Sequence, residues 1–151
     1  MIKKKSPNPD WLRLDNQLCF ALYAASRLVT RHYQPLLEPH GLTYPQYIVL
    51  LILWEEGPIS MSRIGALAAL NSNTLTPLVK RLESLGYVAR RRSKDDERKV
   101  MVHLTERGTS LHEACECIPQ SLYASLNYPE KELVALKTAL DPFIQHLRRQ
   151  E

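Results

Sequence analysis

Two short helix-forming stretches joined by Asn71-Ser72-Asn73, with a basic strand pair close behind, restrict the fold of this chain more than any other feature. Ser60 reads as the cap of a short helix over residues 61–70, which the three polar residues break. They in turn cap a further helix over 74–85. It ends at Gly86, a residue suited to the left-handed position that follows a helix. Leu75, Leu78, Val79 and Leu82 share one face of that second helix, while Thr74, Thr76, Pro77, Lys80 and Arg81 fall largely on the other. Residues 87–92 then read as a strand, 93–98 as a charged turn and 100–104 as a second strand. Paired short helices, the second basic on its open face, followed by a hairpin with a basic tip, make the pattern of a helix-turn-helix with a wing.

Charge gathers in the same place. Residues 61–94 hold seven basic side chains (Arg63, Lys80, Arg81, Arg90, Arg91, Arg92, Lys94) against the single acid Glu83. That third of the chain carries +6, the whole chain +4, and the remainder therefore −2. A local concentration of this kind points to an anionic partner, and double-stranded DNA fits it best.

The rest of the composition excludes broad classes. A length of 151 residues with 44% hydrophobic content suits one compact domain with a real core. The longest apolar run, 47–54, is eight residues, far short of the roughly 20 that span a membrane. Met1–Asp10 is basic with no apolar stretch behind it, unlike an export signal. Three cysteines, an odd number, fit reduced thiols and a cytoplasmic setting.

Long amphipathic helices flank the central motif. Residues 11–37 read as one helix with Leu14, Leu18, Leu22, Ala25 and Val29 in a stripe, ended by Pro35 and Pro39-His40-Gly41. Thr43-Tyr44-Pro45-Gln46 opens a second helix, apolar nearly all round and so central to the core, which stops at Gly57-Pro58. Thr105-Glu106 caps a helix to about Ile118, bent at Pro119 and continuing toward Leu126. A last helix over 130–149 carries the stripe Leu133, Leu136, Leu140, Ile144 and Leu147. The expected architecture is mainly α with a small β-hairpin, as a single domain over 1–151. Residues 43–105 form the winged helix-turn-helix. The helices of 11–40 and 106–149 are not needed for its core and are expected to pack against a second copy.

Several motifs together resemble the MarR family of winged-helix regulators. They are Leu67-Ala68 through Leu85-Gly86, Asp95-Asp96-Glu97-Arg98-Lys99-Val100, and Leu104-Thr105-Glu106-Arg107-Gly108. The wing's Asp-x-Arg signature is Asp96 and Arg98. The segments Leu14-Asp15-Asn16-Gln17-Leu18-Cys19-Phe20-Ala21-Leu22-Tyr23, Leu42-Thr43-Tyr44-Pro45-Gln46-Tyr47 and Asn73–Glu83 are similar to the subgroup that senses organic hydroperoxides. The resemblance covers about 14–118 well and the last helix in type only.

This resemblance changes the reading of Cys19. Among Leu18, Phe20 and Leu22, with no Lys or His nearby on the helix, Cys19 alone would read as a packed thiol. The resemblance implies a redox sensor, oxidised to a sulfenic acid, with two tyrosines bonded to its sulfur; their matches are Tyr33 and Tyr44. Cys19 and Tyr33 are 14 residues apart, about 21 Å along a helix, so they cannot meet within one straight helix. They could meet if two copies of the helix pack antiparallel, so a Cys–Tyr contact here implies a homodimer with composite sites. Two-cysteine members of the subgroup carry a resolving cysteine further along, where this chain has Tyr123-Ala124-Ser125. Cys115 or Cys117 could substitute, but residues two apart point about 200° apart on a helix, so at most one faces Cys19. The other route is capping of Cys19 by a low-molecular-weight thiol. A metal site on His112, Cys115 and Cys117 is disfavoured because they do not share one face and no fourth ligand accompanies them. No cofactor is called for.

The DNA-binding residues expected on the recognition helix are Ser72, Asn73, Thr74, Thr76 and Lys80, with Arg81 on phosphate. Arg98 matches the wing residue that reaches the minor groove, oriented by Asp96. Arg90 and Arg92 are expected on phosphate, with Arg91 turned away by strand alternation. The implied function is a repressor on a pseudo-palindromic operator, released when organic hydroperoxide oxidises Cys19. Two rivals remain: a repressor released by an aromatic or phenolic ligand, with Cys19 structural, and a thiol peroxidase, which the helix-turn-helix argues against.

Overall fold

The computed structural model describes residues 9–150. Residues 1–8, and with them most of the stretch read against an export signal, lie outside the described residues, as does Glu151.

The N-terminal segment departs from the single helix expected over 11–37. Two short 3-10 turns, Pro9–Leu12 and Leu14–Asn16, come first, and the helix α1 runs over Leu18–Leu37. Local side chains explain the delay. Asn16 donates to the Asp10 carbonyl at 2.9 Å, Gln17 donates to the Trp11 carbonyl, and Arg13 pairs with Asp15 at 3.2 Å. Short polar side chains that bond nearby backbone in this way compete with helix formation. Gln17 is left extended as the residue before the helix.

Helix α2 (Tyr44–Glu56) is the centre of the core, as its all-round apolar character requires. Its entry is fixed by Pro45 in the first turn and by the Thr43 N–H donating to Gln46 Oε1 at 2.9 Å. Tyr47, Val49, Leu50 and Leu53 are buried against Ile64, Leu75, Val79, Leu82, Val102, Leu111 and Cys115.

The helix-turn-helix is helix α3 (Met61–Ala68) followed by helix α4 (Ser72–Ser84). Ser60 Oγ caps α3 by accepting from Arg63 N, and Asn71 Oδ1 caps α4 by accepting from Thr74 N at 2.9 Å. Ala69, left-handed at φ 54°, closes the turn between them. The wing strands β2 (Val88–Arg92) and β3 (Val100–Leu104) pair antiparallel with Arg90 opposite Val102. A third strand, β1 (Ile59–Ser60), pairs with β3, so the expected two-stranded hairpin is a three-stranded sheet of order β1-β3-β2.

Helices α5 (Glu106–Cys115) and α6 (Ile118–Leu126) divide at Glu116-Cys117, two residues before the bend expected at Pro119, which lies in the first turn of α6. Helix α7 (Glu130–Arg148) has no buried residue. Its Leu136, Ile144 and Leu147 are exposed, as are Leu14, Leu18, Phe20 and Leu28 of the N-terminal region. One long-range polar link ties α7 back: Arg148 Nη2 donates to the Leu67 carbonyl of α3 at 2.9 Å.

The root of the wing is packed to the limit at Gly108. A Cβ there would lie 2.0 Å from the Tyr87 carbonyl oxygen. Gly108→Ala should therefore lower stability by about 3 kcal/mol through overpacking, read as a fall in the thermal midpoint. A midpoint within a degree of the parent would mean that α5 is not seated on the Tyr87 backbone that leads into β2.

Candidate redox site and nucleic-acid interface

Because α1 starts at Leu18, Cys19 sits in its first turn rather than two turns into a longer helix. Its side chain is exposed, on a surface where Leu18, Phe20 and Tyr23 are exposed as well. Tyr33 lies near the other end of the same helix, and 14 residues at 1.5 Å each separate the two by about 21 Å. Within one chain the sulfur and this phenol do not meet.

Tyr33 and Tyr44 do meet. Their ring centroids are 4.5 Å apart, Tyr33 from α1 and Tyr44 from the first position of α2. Burial, helped by the neighbouring phenols of Tyr44, Tyr47 and Tyr123, pushes the Tyr33 hydroxyl well above its ordinary value. Burial raises Tyr44 too, against a hydrogen bond from Tyr33 that lowers it. Both phenols therefore stay protonated and can donate across the physiological range. A cleft of about 380 Å³, lined by Thr30, Gln34, Thr43 and Tyr44 among others, opens beside the pair.

The aromatic contacts continue inward. Tyr33 packs at 5.9 Å on Tyr47, Tyr47 meets Trp54 edge-on at 6.3 Å, and Trp54 meets His112 edge-on at 5.2 Å. Trp54 Nε1 donates to the Gly108 carbonyl at 3.0 Å. The chain of rings thus runs from the tyrosine pair to the residue that seats α5 on the wing. Tyr47 and Trp54 carry no pattern in the sequence that separates them from ordinary core aromatics.

The two later cysteines differ. Cys115 is 3% exposed and its thiol is pushed up, first by burial and then by Cys117, so it is a poor nucleophile. Cys117, immediately before α6, is exposed. His112 packs on Trp54 and lies 3.6 Å from Glu116. Among the described residues no three His, Cys, Asp or Glu side chains converge as for a metal ion.

The basic face is laid out on α4 and the wing. Ser72, Asn73, Thr74, Lys80 and Arg81 are exposed on α4, and Thr76 is half-buried. Arg91 and Arg92 are both exposed on β2. At the wing tip Arg98 Nε donates to Asp96 Oδ1 at 3.3 Å, and Arg98 N donates to the same oxygen at 3.1 Å. The Arg98 side chain is otherwise 93% exposed. Arg90 differs from the expectation that it faces phosphate, because its guanidinium and backbone N–H are both bonded to Glu83 of α4. A cleft of about 620 Å³ separates α3 and α4 from the wing.

A capped helix-turn-helix with a basic wing defines a winged-helix DNA-binding regulator. Sequence and structure comparisons narrow this class. The family described as transcriptional regulator SarA/Rot matches residues 31–115. The organic hydroperoxide resistance transcriptional regulator of Bacillus subtilis is 42% identical over 140 residues, 93% of this chain and 95% of that protein. Reduced AbfR bound to DNA superposes with a TM-score of 0.73 at 40% identity, covering 91% of this chain and 96% of that one; AbfR is a protein of Staphylococcus epidermidis. The disulfide form of AbfR superposes less well, with a TM-score of 0.59 at 39% identity over 93% and 94% of the two chains. The chain belongs to the MarR family of transcriptional regulators, in the branch that contains the Bacillus regulator.

The raised phenols set a pH dependence. A phenol that ionises less readily when folded binds its proton more tightly than the unfolded chain does, so stability is full below the ordinary value of about 10 and is lost as pH rises beyond it. Tyr33→Phe should flatten the fall in urea midpoint between pH 9.5 and 11. An unchanged slope would show that Tyr33 is solvated in the folded protein.

Proposed function

We propose that this chain is a cytoplasmic, homodimeric repressor that senses organic hydroperoxides through Cys19 and releases operator DNA when that thiol is oxidised. The observation that carries the reading is the split site. The Tyr33–Tyr44 pair is assembled within one chain, while Cys19 stands exposed at the far end of α1 on an apolar surface. Exposed apolar faces on α1 and α7 invite a second copy. An antiparallel partner would deliver its Cys19 to the tyrosine pair, and two phenol donors would hold the sulfur for attack.

The chemistry proposed is a two-electron oxidation. The Cys19 thiolate attacks the terminal oxygen of the hydroperoxide. The O–O bond breaks, an S–O bond forms, and an alcohol leaves after taking up a proton. The sulfenic acid then condenses with a low-molecular-weight thiol, forming a mixed disulfide and water. Exposed Cys117 is the chain's own competitor for that step, ahead of buried Cys115. As a sensor the protein would consume about one peroxide per thiol even with a reductant present, where a thiol peroxidase would turn over many.

The oxidised, enlarged sulfur no longer fits between the phenols, and the dimer helices shift. The contacts from Tyr33 through Tyr47 and Trp54 to Gly108 and the Arg148–Leu67 bond support transmission of that shift to the winged helix-turn-helix of 43–105. The two recognition helices then lose the spacing that a pseudo-palindromic operator demands. Ser72, Asn73, Thr74, Thr76 and Lys80 read or brace the major groove, Arg81 and Arg92 contact phosphate, and Arg98, held by Asp96, enters the minor groove.

The test is anisotropy on DNA from the chain's own upstream region, with one equivalent of cumene hydroperoxide and then dithiothreitol. The parent should lose binding and regain it. Cys19→Ser should bind within about threefold of the parent and ignore peroxide, because a hydroxyl is not oxidised by this route. Release of DNA from Cys19→Ser by peroxide would remove Cys19 as the sensor.

A further inference from the structure

Glu83 is the one acid among the seven bases of residues 61–94, and its carboxylate is fully engaged by one of them. Oε2 accepts from Arg90 Nε at 2.9 Å and from Nη2 at 2.8 Å, while Oε1 accepts from the Arg90 backbone N–H at 3.0 Å. The two residues belong to different elements, Glu83 to the last turn of α4 and Arg90 to the middle of β2. The sheet order places β2 at an edge, where outward N–H groups lack a strand partner. Glu83 supplies that partner for Arg90, and the guanidinium fork fixes the approach angle.

The backbone between the two elements is the turn Leu85-Gly86-Tyr87, with Gly86 left-handed at φ 79°. A glycine turn alone holds an angle weakly. Arg90 also lines the cleft between α4 and the wing, together with Thr76, Arg98 and Lys99. We propose that Glu83 and Arg90 are positioning residues that lock the recognition helix to the wing at the angle operator DNA requires, so that Arg90 serves DNA binding through Glu83 and not as a phosphate contact. The inference rests on the DNA-binding reading above.

Charge and geometry make opposite predictions here. If Glu83 were a solvated acid beside DNA, neutralising it would tighten binding to every sequence. If it is half of a strut, Glu83→Gln should weaken operator binding by about fivefold and leave binding to unrelated DNA unchanged or tighter. Arg90→Gln should weaken operator binding similarly. The double variant Glu83→Gln/Arg90→Gln should be no worse than the weaker single, since both remove one interaction. Additive losses, or tighter operator binding by Glu83→Gln, would overturn the proposal. Amide exchange gives a readout without DNA: the Arg90 amide should be protected in the parent and exchange at least tenfold faster in Glu83→Gln at equal thermal midpoint. A parent that binds no DNA while its Arg90 amide is protected would defeat the functional reading and leave the strut standing. A parent Arg90 amide that exchanges like an open edge amide would defeat the strut.

Discussion

The length of α1 governs the rest of the arrangement. A regular helix is a ruler, and over Leu18–Leu37 it holds Cys19 and Tyr33 about 21 Å apart. No rotamer change closes such a gap. Tyr33 is committed to its own chain by packing on Tyr44 and Tyr47 of α2, so phenol donors for the thiol end of the helix would, on the proposed reading, come from a second copy. The exposed apolar stripes of α1 and α7 lie on the elements that a second copy would cover. On the proposed reading, a sensor built this way would report on dimer geometry, because its chemistry would take place where two copies join.

The path from that site to the DNA-binding surface is short and made of stiff parts. Aromatic rings have few rotamers and pack as plates. Tyr33, Tyr47 and Trp54 lead from α1 across α2 to Gly108. Gly108 has no room for a side chain against the Tyr87 carbonyl, so a movement of α2, if the proposed switch operates, would reach the base of the wing with little slack. The Glu83–Arg90 pair then joins that base to α4. The wing and the recognition helix would move as one body, which suits a switch that must change the distance between two reading heads.

Much of this is legible in the sequence where short-range chemistry decides. Ser60, Asn71 and Thr105 cap helices because their oxygens accept the free N–H groups of the next turn. The apolar belt of α2 is by itself the mark of a central helix, since no face of it is suited to water. The delayed start of α1 is hidden, because Asp15, Asn16 and Gln17 satisfy backbone and neighbouring charge locally while the apolar stripe through Leu14 and Leu18 keeps a helical period. Strand β1 is two residues long and exists only through its pairing with β3, a contact that no local pattern records. Arg90 looks like its basic neighbours in the sequence, and its partner across a turn becomes visible only once α4 and β2 are placed. The pairing of Tyr33 with Tyr44 follows from the family resemblance; their spacing alone does not announce it.

The central claim is that each site is shared between two chains, and mixed dimers test it directly. In one mixed dimer, a Cys19→Ser chain pairs with a chain carrying Tyr33→Phe and Tyr44→Phe. Its only Cys19 then belongs to the chain without the phenols and faces the intact tyrosines of its partner. In the second, a chain carrying all three substitutions pairs with an unaltered chain, whose Cys19 would face a partner lacking both hydroxyls. The quantity to measure is the rate of sulfenic acid formation at that single Cys19 with an organic hydroperoxide. The account predicts a parental rate in the first dimer and a rate at least tenfold lower in the second. The reverse order would place thiol and phenols within one chain and contradict it.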